Sequence, residues 1–251
     1  MRRLIVFACL ILTVFFVPGV FAQDDSTDLE ALPPTPEAVQ LEPTHVVVEA
    51  SDGLDLVGDL YIVDPERPTV ILLHQLYTNR TSWQPLIGLL LGANYNVLNV
   101  DQRGFGETRG SINWTQAIED VVTWQEWLRT EGGVADAIST IGSSIGSTMA
   151  VRGCSADPAC KTAIAISPGW EYYNVGLRPA LEEELGERPA LLIYAENDRW
   201  PALGMPRIME FASAAIETYA YPGNAHGMDL LKTENETMVP LILDWLAKHG
   251  G

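Results

Sequence analysis

Positive charge is what this sequence has least of. Its 251 residues carry 15 Lys+Arg against 33 Asp+Glu, a formal net charge of -18. No basic face can therefore be assembled for nucleic-acid phosphates, and anionic membrane surfaces are disfavoured for the same reason. Sustained heptads and collagen-like repeats are absent, so the 47% of hydrophobic residues fall in short blocks of the kind that build a globule. No internal repeat or second domain is visible. Cysteine is scarce, with three residues, too few to complete a tetrahedral zinc site. Neither a metal nor a cofactor is expected, and nothing in the sequence specifies an oligomeric state.

The one long apolar run is N-terminal. Arg2 and Arg3 precede Leu4 to Val17, followed by Pro18-Gly19 and Val20-Phe21-Ala22, the pattern of a secretory signal peptide over residues 1–22. A retained anchor is the alternative, but the run falls short of the ~20 residues that cross a bilayer as a helix. Cleavage before Gln23 leaves 13 Lys+Arg against 33 Asp+Glu, a charge of -20. The product is expected to be secreted, periplasmic or extracellular, without stable membrane insertion. Residues 23–44, with six acids and four prolines, are expected to form a disordered linker, since they bury too little apolar area to offset ordering entropy. In an exported chain, Cys154 and Cys160 suit a disulfide-closed loop.

From residue 45 to 251 a single domain is expected. Val46 to Val48 and Leu56 to Val63 read as an antiparallel pair around Ser51-Asp52-Gly53. Thr69 to Leu73, Asn96 to Val100, Ile138 to Ile141, Thr162 to Ile166, Leu191 to Ala195 and Thr218 to Tyr221 read as near-continuously apolar strands, as expected of parallel strands covered on both faces. Helical spacing marks Thr115 to Arg129, Ile145 to Arg152, Arg207 to Ile216 and Met238 to Lys248. The alternation implies an α/β fold, a mostly parallel, doubly wound sheet of about eight strands with helices on both faces. Chemistry in such a sheet sits where strands end.

Gly142-Ser143-Ser144-Ile145-Gly146 follows one strand and opens a helix. This G-x-S-x-G turn projects its central serine above the sheet, the flanking glycines leaving room for the reversal. A serine hydroxyl needs a base, and the base needs an orienting carboxylate. Of four histidines, His45 and His249 lie at the ends of the domain and His74 suits a loop-tying role. His226 follows the last strand, within reach of Ser144. Asp198, at the end of the preceding strand, is preferred as the carboxylate over Glu196 and Asp229. The oxyanion hole needs two backbone N–H groups; Ile145 supplies one, and Leu76 of the loop His74-Gln75-Leu76-Tyr77 the other, with Gln75 as rival.

The order Ser144, Asp198, His226, together with Asp101 to Gly106 and the Ser167-Pro168-Gly169 turn, resembles the α/β-hydrolases, nearest to their dienelactone-hydrolase-like branch. That resemblance implies Ser144 as nucleophile, His226 as base and Asp198 as acid, with Asp101 to Gly106 as a structural loop. Gln75 departs from the glycine of many relatives. Ser144 departs from the cysteine nucleophile of dienelactone hydrolases proper, so their lactone substrate is not carried over. The connection Ser167 to Ala190 is short where lipases insert a lid, which suggests an open site for small, soluble esters. Gln75, Tyr77, Trp170 and Tyr172 are the expected substrate contacts; for Trp170, Tyr172 and the adjacent Tyr173, which could line an acyl or alcohol pocket, packing against the sheet is the alternative. A serine carboxylesterase is expected. A serine peptidase, another acyl-transfer enzyme, or a binding protein that keeps the fold without turnover are the alternatives.

Overall fold

The computed structural model describes residues 32–213 and 215–251. The signal-peptide reading of 1–22 and the first part of the linker, 23–31, lie outside the described residues. The β-branched runs form strands β1 (Thr44–Glu49), β2 (Asp55–Tyr61), β3 (Thr69–Leu73), β4 (Asn96–Asp101), β5 (Ile138–Ser143) and β6 (Ala163–Ile166). Two short strands, β7 (Glu171–Tyr172) and β8 (Val175–Gly176), make a separate hairpin, and β9 (Ala190–Ala195) and β10 (Ile216–Tyr221) complete the main sheet. Helices are α1 (Gln84–Gly92), α2 (Trp114–Thr130), α3 (Ile145–Ala156), α4 (Arg199–Phe211), α5 (Met228–Thr233) and α6 (Asn235–His249).

The eight-stranded sheet has the order β1-β2-β4-β3-β5-β6-β9-β10. Pairing is antiparallel from β1 to β2 and from β2 to β4, and parallel from there to β10. Every residue of β3 to β6 is buried, and their alternating side chains feed two cores. Val70 and Leu72 point into a cluster with Leu90 of α1 and Ile242 and Trp245 of α6. Ile71 and Leu73 point into another with Trp124 and Leu128 of α2 and Met149 of α3. The chain is thus an α/β, doubly wound fold with helices on both faces, as its alternating pattern implied.

Three elements differ from the sequence reading. The helix expected over Arg207 to Ile216 runs instead from Arg199 to Phe211, passing through Pro206, with Met205 and Ile208 buried on its inner side. Proline normally marks a helix start, which displaced the expected boundary, and Ile216 opens β10. Helix α1 was not anticipated because Leu86 to Leu91 is apolar nearly all round and carries no amphipathic period. The C-terminal part of the expected linker, residues 32–43, forms no helix or strand yet touches the domain. Val39 N–H donates to Gly88 O of α1 at 2.8 Å, and Leu32 packs on the α1/α6 core.

Two arginines, Arg103 buried and Arg80 part-buried, tie the loops above the sheet. Arg80 pairs with Asp59, Asp101 and Glu107, and Arg103 with Asp120 and Asp52. The carboxylate of Asp101 also accepts the Arg80 and Glu107 N–H groups at 2.8 Å each. Asp101 to Gly106 is therefore a structural loop. Asn79 and Asn113 act as helix caps, the first for the short 3-10 turn Arg80–Trp83 and the second for α2: Asn79 accepts Thr81 N–H at 2.9 Å and Asn113 accepts Gln116 N–H at 3.1 Å.

Cys154 and Cys160 are joined, closing the loop between α3 and β6. A loop this short contributes about 2 kcal/mol by restricting the unfolded chain. The Cys154→Ala/Cys160→Ala double variant should therefore melt about 4 to 8 °C lower by circular dichroism; an unchanged melting temperature would show the bridge to be energetically idle.

Candidate active site

Strand β5 ends at Ser143 and α3 begins at Ile145, so Ser144 alone carries the reversal. Its backbone sits at φ 53 and ψ -121, a region that L residues avoid. Space forces glycine on both sides. A Cβ on Gly142 would stand 1.9 Å from Gly146 O, and one on Gly146 would stand 2.2 Å from Leu73 O. Ser144 N–H donates to Ile166 O at 2.8 Å, which pins the turn to the neighbouring strand end.

Asp198 follows the end of β9 as the N-cap of α4, and its carboxylate is used elsewhere than in capping. His226 follows β10 and precedes α5. The three side chains, expected to meet, do: His226 Nε2 lies 2.8 Å from Ser144 Oγ, and Nδ1 lies 2.6 Å from Asp198 Oδ2. Asp198 is buried, whereas the His226 ring is part-exposed at 36%. An imidazole donating from Nδ1 to the carboxylate leaves Nε2 to accept the serine proton. The carboxylate bonded to the ring is thus that of Asp198, the one preferred over Glu196 and Asp229.

The loop after β3, expected to supply an oxyanion donor, is held by several hydrogen bonds. His74 is fully buried; its Nδ1 lies 2.8 Å from Gln75 O and its Nε2 accepts Gln102 N–H at 3.1 Å. That pair of bonds requires the neutral Nδ1–H tautomer. Thr78 Oγ donates to the same Gln75 O at 2.8 Å, and Gln102 Nε2 donates to His74 O at 2.5 Å. Leu76 thereby faces the cavity beside Ser144, while Ile145, the residue after Ser144, opens α3 where the first N–H groups have no intrahelical acceptor.

A cavity of about 480 Å³ covers the serine, lined by Gln75, Leu76, Tyr172, Tyr173, Glu171 and Trp200 together with Ser144 and His226. Of the expected substrate contacts, Gln75 and Tyr172 line it. Tyr77 does not: its backbone at φ 60 turns it outward, 87% exposed. Nor does Trp170, whose ring lies tilted against Phe211 with the Arg207 guanidinium 4.5 Å from its centroid and which packs on the core cluster that includes Ala165 and Leu192 of the sheet; this is the packing role held as the alternative. Sequence reasoning missed Glu171 and Trp200. Glu171 sits in the β7–β8 hairpin, and Trp200 in the first turn of α4, two residues after Asp198, a proximity that could have flagged it. The Tyr172 hydroxyl donates to Ser167 O at 3.1 Å. Burial first, then the charge of Asp198, holds its ionisation well above the usual phenol range, although a contact with the Ser144 side chain pulls the other way. It remains a donor at any working pH.

With this geometry in place, the relationships are plain. The chain belongs to the alpha/beta hydrolase fold family, whose model matches residues 68–197. Among solved structures it is similar to an esterase of Pyrococcus furiosus, at 19% identity and a TM-score of 0.74 over 88% of this chain and 98% of that one. An alpha/beta hydrolase of Penicillium shares 18% identity, with a TM-score of 0.71 over 84% and 99%. A dienelactone hydrolase of Anabaena variabilis shares 16%, with a TM-score of 0.66 over 84% and 100%. At these identities the likeness establishes the fold. No curated protein sequence matches the chain. Among the described residues, no helix is long and apolar enough to cross a membrane.

Burial pushes the His74 imidazole below its ordinary value of 6.5, against the opposing pull of Gln75 O and Asp101. The folded state therefore favours neutral His74, while the unfolded chain takes up a proton as pH falls through about 6.5. This contribution is fully present above that value and lost below it. Denaturant midpoints measured from pH 7.5 to 5.5 should fall more steeply for the wild type than for His74→Asn; parallel slopes would remove His74 as the source.

Proposed function

We propose that this chain is an exported serine hydrolase that cleaves small carboxylic esters through an acyl-enzyme. The observation that carries the reading is the chain of hydrogen bonds from Ser144 through His226 to Asp198, 2.8 and 2.6 Å long, at the floor of the cavity. Ser144 Oγ attacks the ester carbonyl as its proton passes to His226 Nε2. The Ile145 and Leu76 N–H groups receive the charge that develops on the carbonyl oxygen. Collapse of the tetrahedral intermediate breaks the bond to the alcohol, which leaves with the proton from His226. Water then attacks the acyl-serine with His226 as base, releasing the acid and restoring Ser144. Asp198 holds the ring and balances its transient charge.

The mature domain should hydrolyse p-nitrophenyl acetate and react with an organophosphonate at Ser144. Ser144→Ala should abolish labelling, and Asp198→Asn should lower kcat by roughly three to four orders of magnitude. Labelling of Ser144→Ala equal to wild type would contradict the reading, and wild type that neither turns over nor labels would favour a binding protein.

The lining also points to a charge preference. Among the described residues around the cavity, Glu171 is the one acidic side chain and no Lys or Arg is present, in a chain of net charge -18. Such a field repels anionic substrates. Phenyl acetate should therefore be cleaved with roughly three- to tenfold higher kcat/KM than 4-acetoxybenzoate at low ionic strength, and Glu171→Gln should narrow that ratio. Equal rates for the two esters would show the carboxylate to be screened from the substrate.

A further inference from the structure

We infer that the Gln75 side chain is a positioning residue that clamps the base to the nucleophile. The inference rests on the reading of Ser144 and His226 above. Gln75 Oε1 accepts two hydrogen bonds from different parts of the site: Met228 N–H at 2.9 Å and Ser143 Oγ–H at 3.2 Å. Ser143 directly precedes the nucleophile, and Met228 is the second residue after the base. One oxygen atom thus joins the end of β5 to the loop that carries His226, across 153 residues of sequence in the second case.

The surroundings are shaped to this oxygen. Gly227, between His226 and Met228, has φ 58, and a Cβ there would stand 2.2 Å from Gln75 Oε1 and 2.7 Å from Ser143 Oγ. Any side chain at that position would evict the amide. The adjacent N–H of Gly227 is held separately by Ser167 Oγ at 2.8 Å, so the two consecutive amides after His226 are each fixed by a side chain from a different strand end. The opposite end of Gln75 is fixed as well, because its carbonyl oxygen receives His74 Nδ1–H and the Thr78 hydroxyl. A continuous run of bonds therefore leads from buried His74, through Gln75, to Ser143, directly before Ser144, and to Met228, two residues after His226. Because a donor N–H must meet oxygen, the Met228 bond also sets which way the Gln75 amide faces.

Loss of the acceptor leaves Met228 N–H and Ser143 O–H without their partner and frees the His226 loop. A displacement near 1 Å at a reacting group lowers rates by about two orders of magnitude. Gln75→Met keeps the length and removes the acceptor; Gln75→Glu keeps acceptor oxygens and adds a negative charge. That charge would join those of Asp198, bonded to the ring, and Glu171 in the same cavity, the Tyr172 hydroxyl there staying neutral, so it favours the protonated imidazole.

Stopped-flow acylation by p-nitrophenyl acetate from pH 5.5 to 9.5 separates the outcomes. Gln75→Met should acylate roughly 10- to 100-fold more slowly at every pH, with KM within about threefold of wild type. Gln75→Glu should have its acid limb moved to higher pH and recover to within about tenfold of wild type above it. Wild-type acylation by Gln75→Met, or no recovery of Gln75→Glu over Gln75→Met at any pH, overturns the clamp. Should Gln75→Met not fold, Gln75→Glu decides against wild type: a displaced limb with recovery supports the clamp and an undisplaced one overturns it. Wild type that neither hydrolyses p-nitrophenyl acetate nor becomes acylated at Ser144 would instead defeat the esterase reading.

Discussion

The site depends on one backbone reversal. Strand β5 and helix α3 meet at a single residue, Ser144, held in a conformation that costs of order 1–3 kcal/mol by neighbours that leave it no alternative. Its N–H is bound to the end of β6, the glycines on either side let α3 lie against the carbonyls of β3, and Met149 and Ile145 anchor the helix in the core. The same contacts that strain Ser144 expose its hydroxyl and place Ile145 N–H beside it. Relaxing the turn would relieve the strain only by lifting α3 off the sheet.

The arginines show where the scarce positive charge has gone. Arg80 and Arg103 are occupied by carboxylates beneath the loops. Arg188 caps carbonyls at the end of α3, donating to Cys154 and Asp157 O at 2.7 and 2.6 Å. Each brings strand-end or helix-end loops into fixed register. Because Arg80 and Arg103 take carboxylates out of solvent with them, the excess of acids over bases in the chain persists at the exterior, in keeping with the expectation that polyanionic partners are disfavoured.

Much of the fold was legible because parallel strands buried on both faces are mostly apolar, and β3, β6 and β9 announce themselves that way. Ser144, Asp198 and His226 were legible because each stands at a strand end in a doubly wound sheet, where position along the chain nearly determines position in space. Helix α4 was displaced because Pro206 reads as a boundary, although a proline is accommodated when burial of Met205 and Ile208 holds the helix together. The lining was less accessible. Trp170, Tyr172 and Tyr173 are chemically alike in sequence, and only the docking of the short hairpin sends Trp170 to Phe211 and its two neighbours to the cavity. Gln75 was visible as an unusual residue, but its partners, Ser143 and Met228, belong to remote segments whose meeting is a tertiary fact.

The β7–β8 hairpin above the serine is fastened at several points. The Tyr172 hydroxyl is tied to Ser167, Arg152 of α3 donates to Gly176 O at 3.0 Å, and Val175 is sunk in the core beneath. A roof attached in this way is expected to stay in place, with Trp200 and Tyr173 exposed beside the cavity. Turnover should accordingly follow the concentration of dissolved monomeric substrate, with no jump in rate when droplets or micelles form.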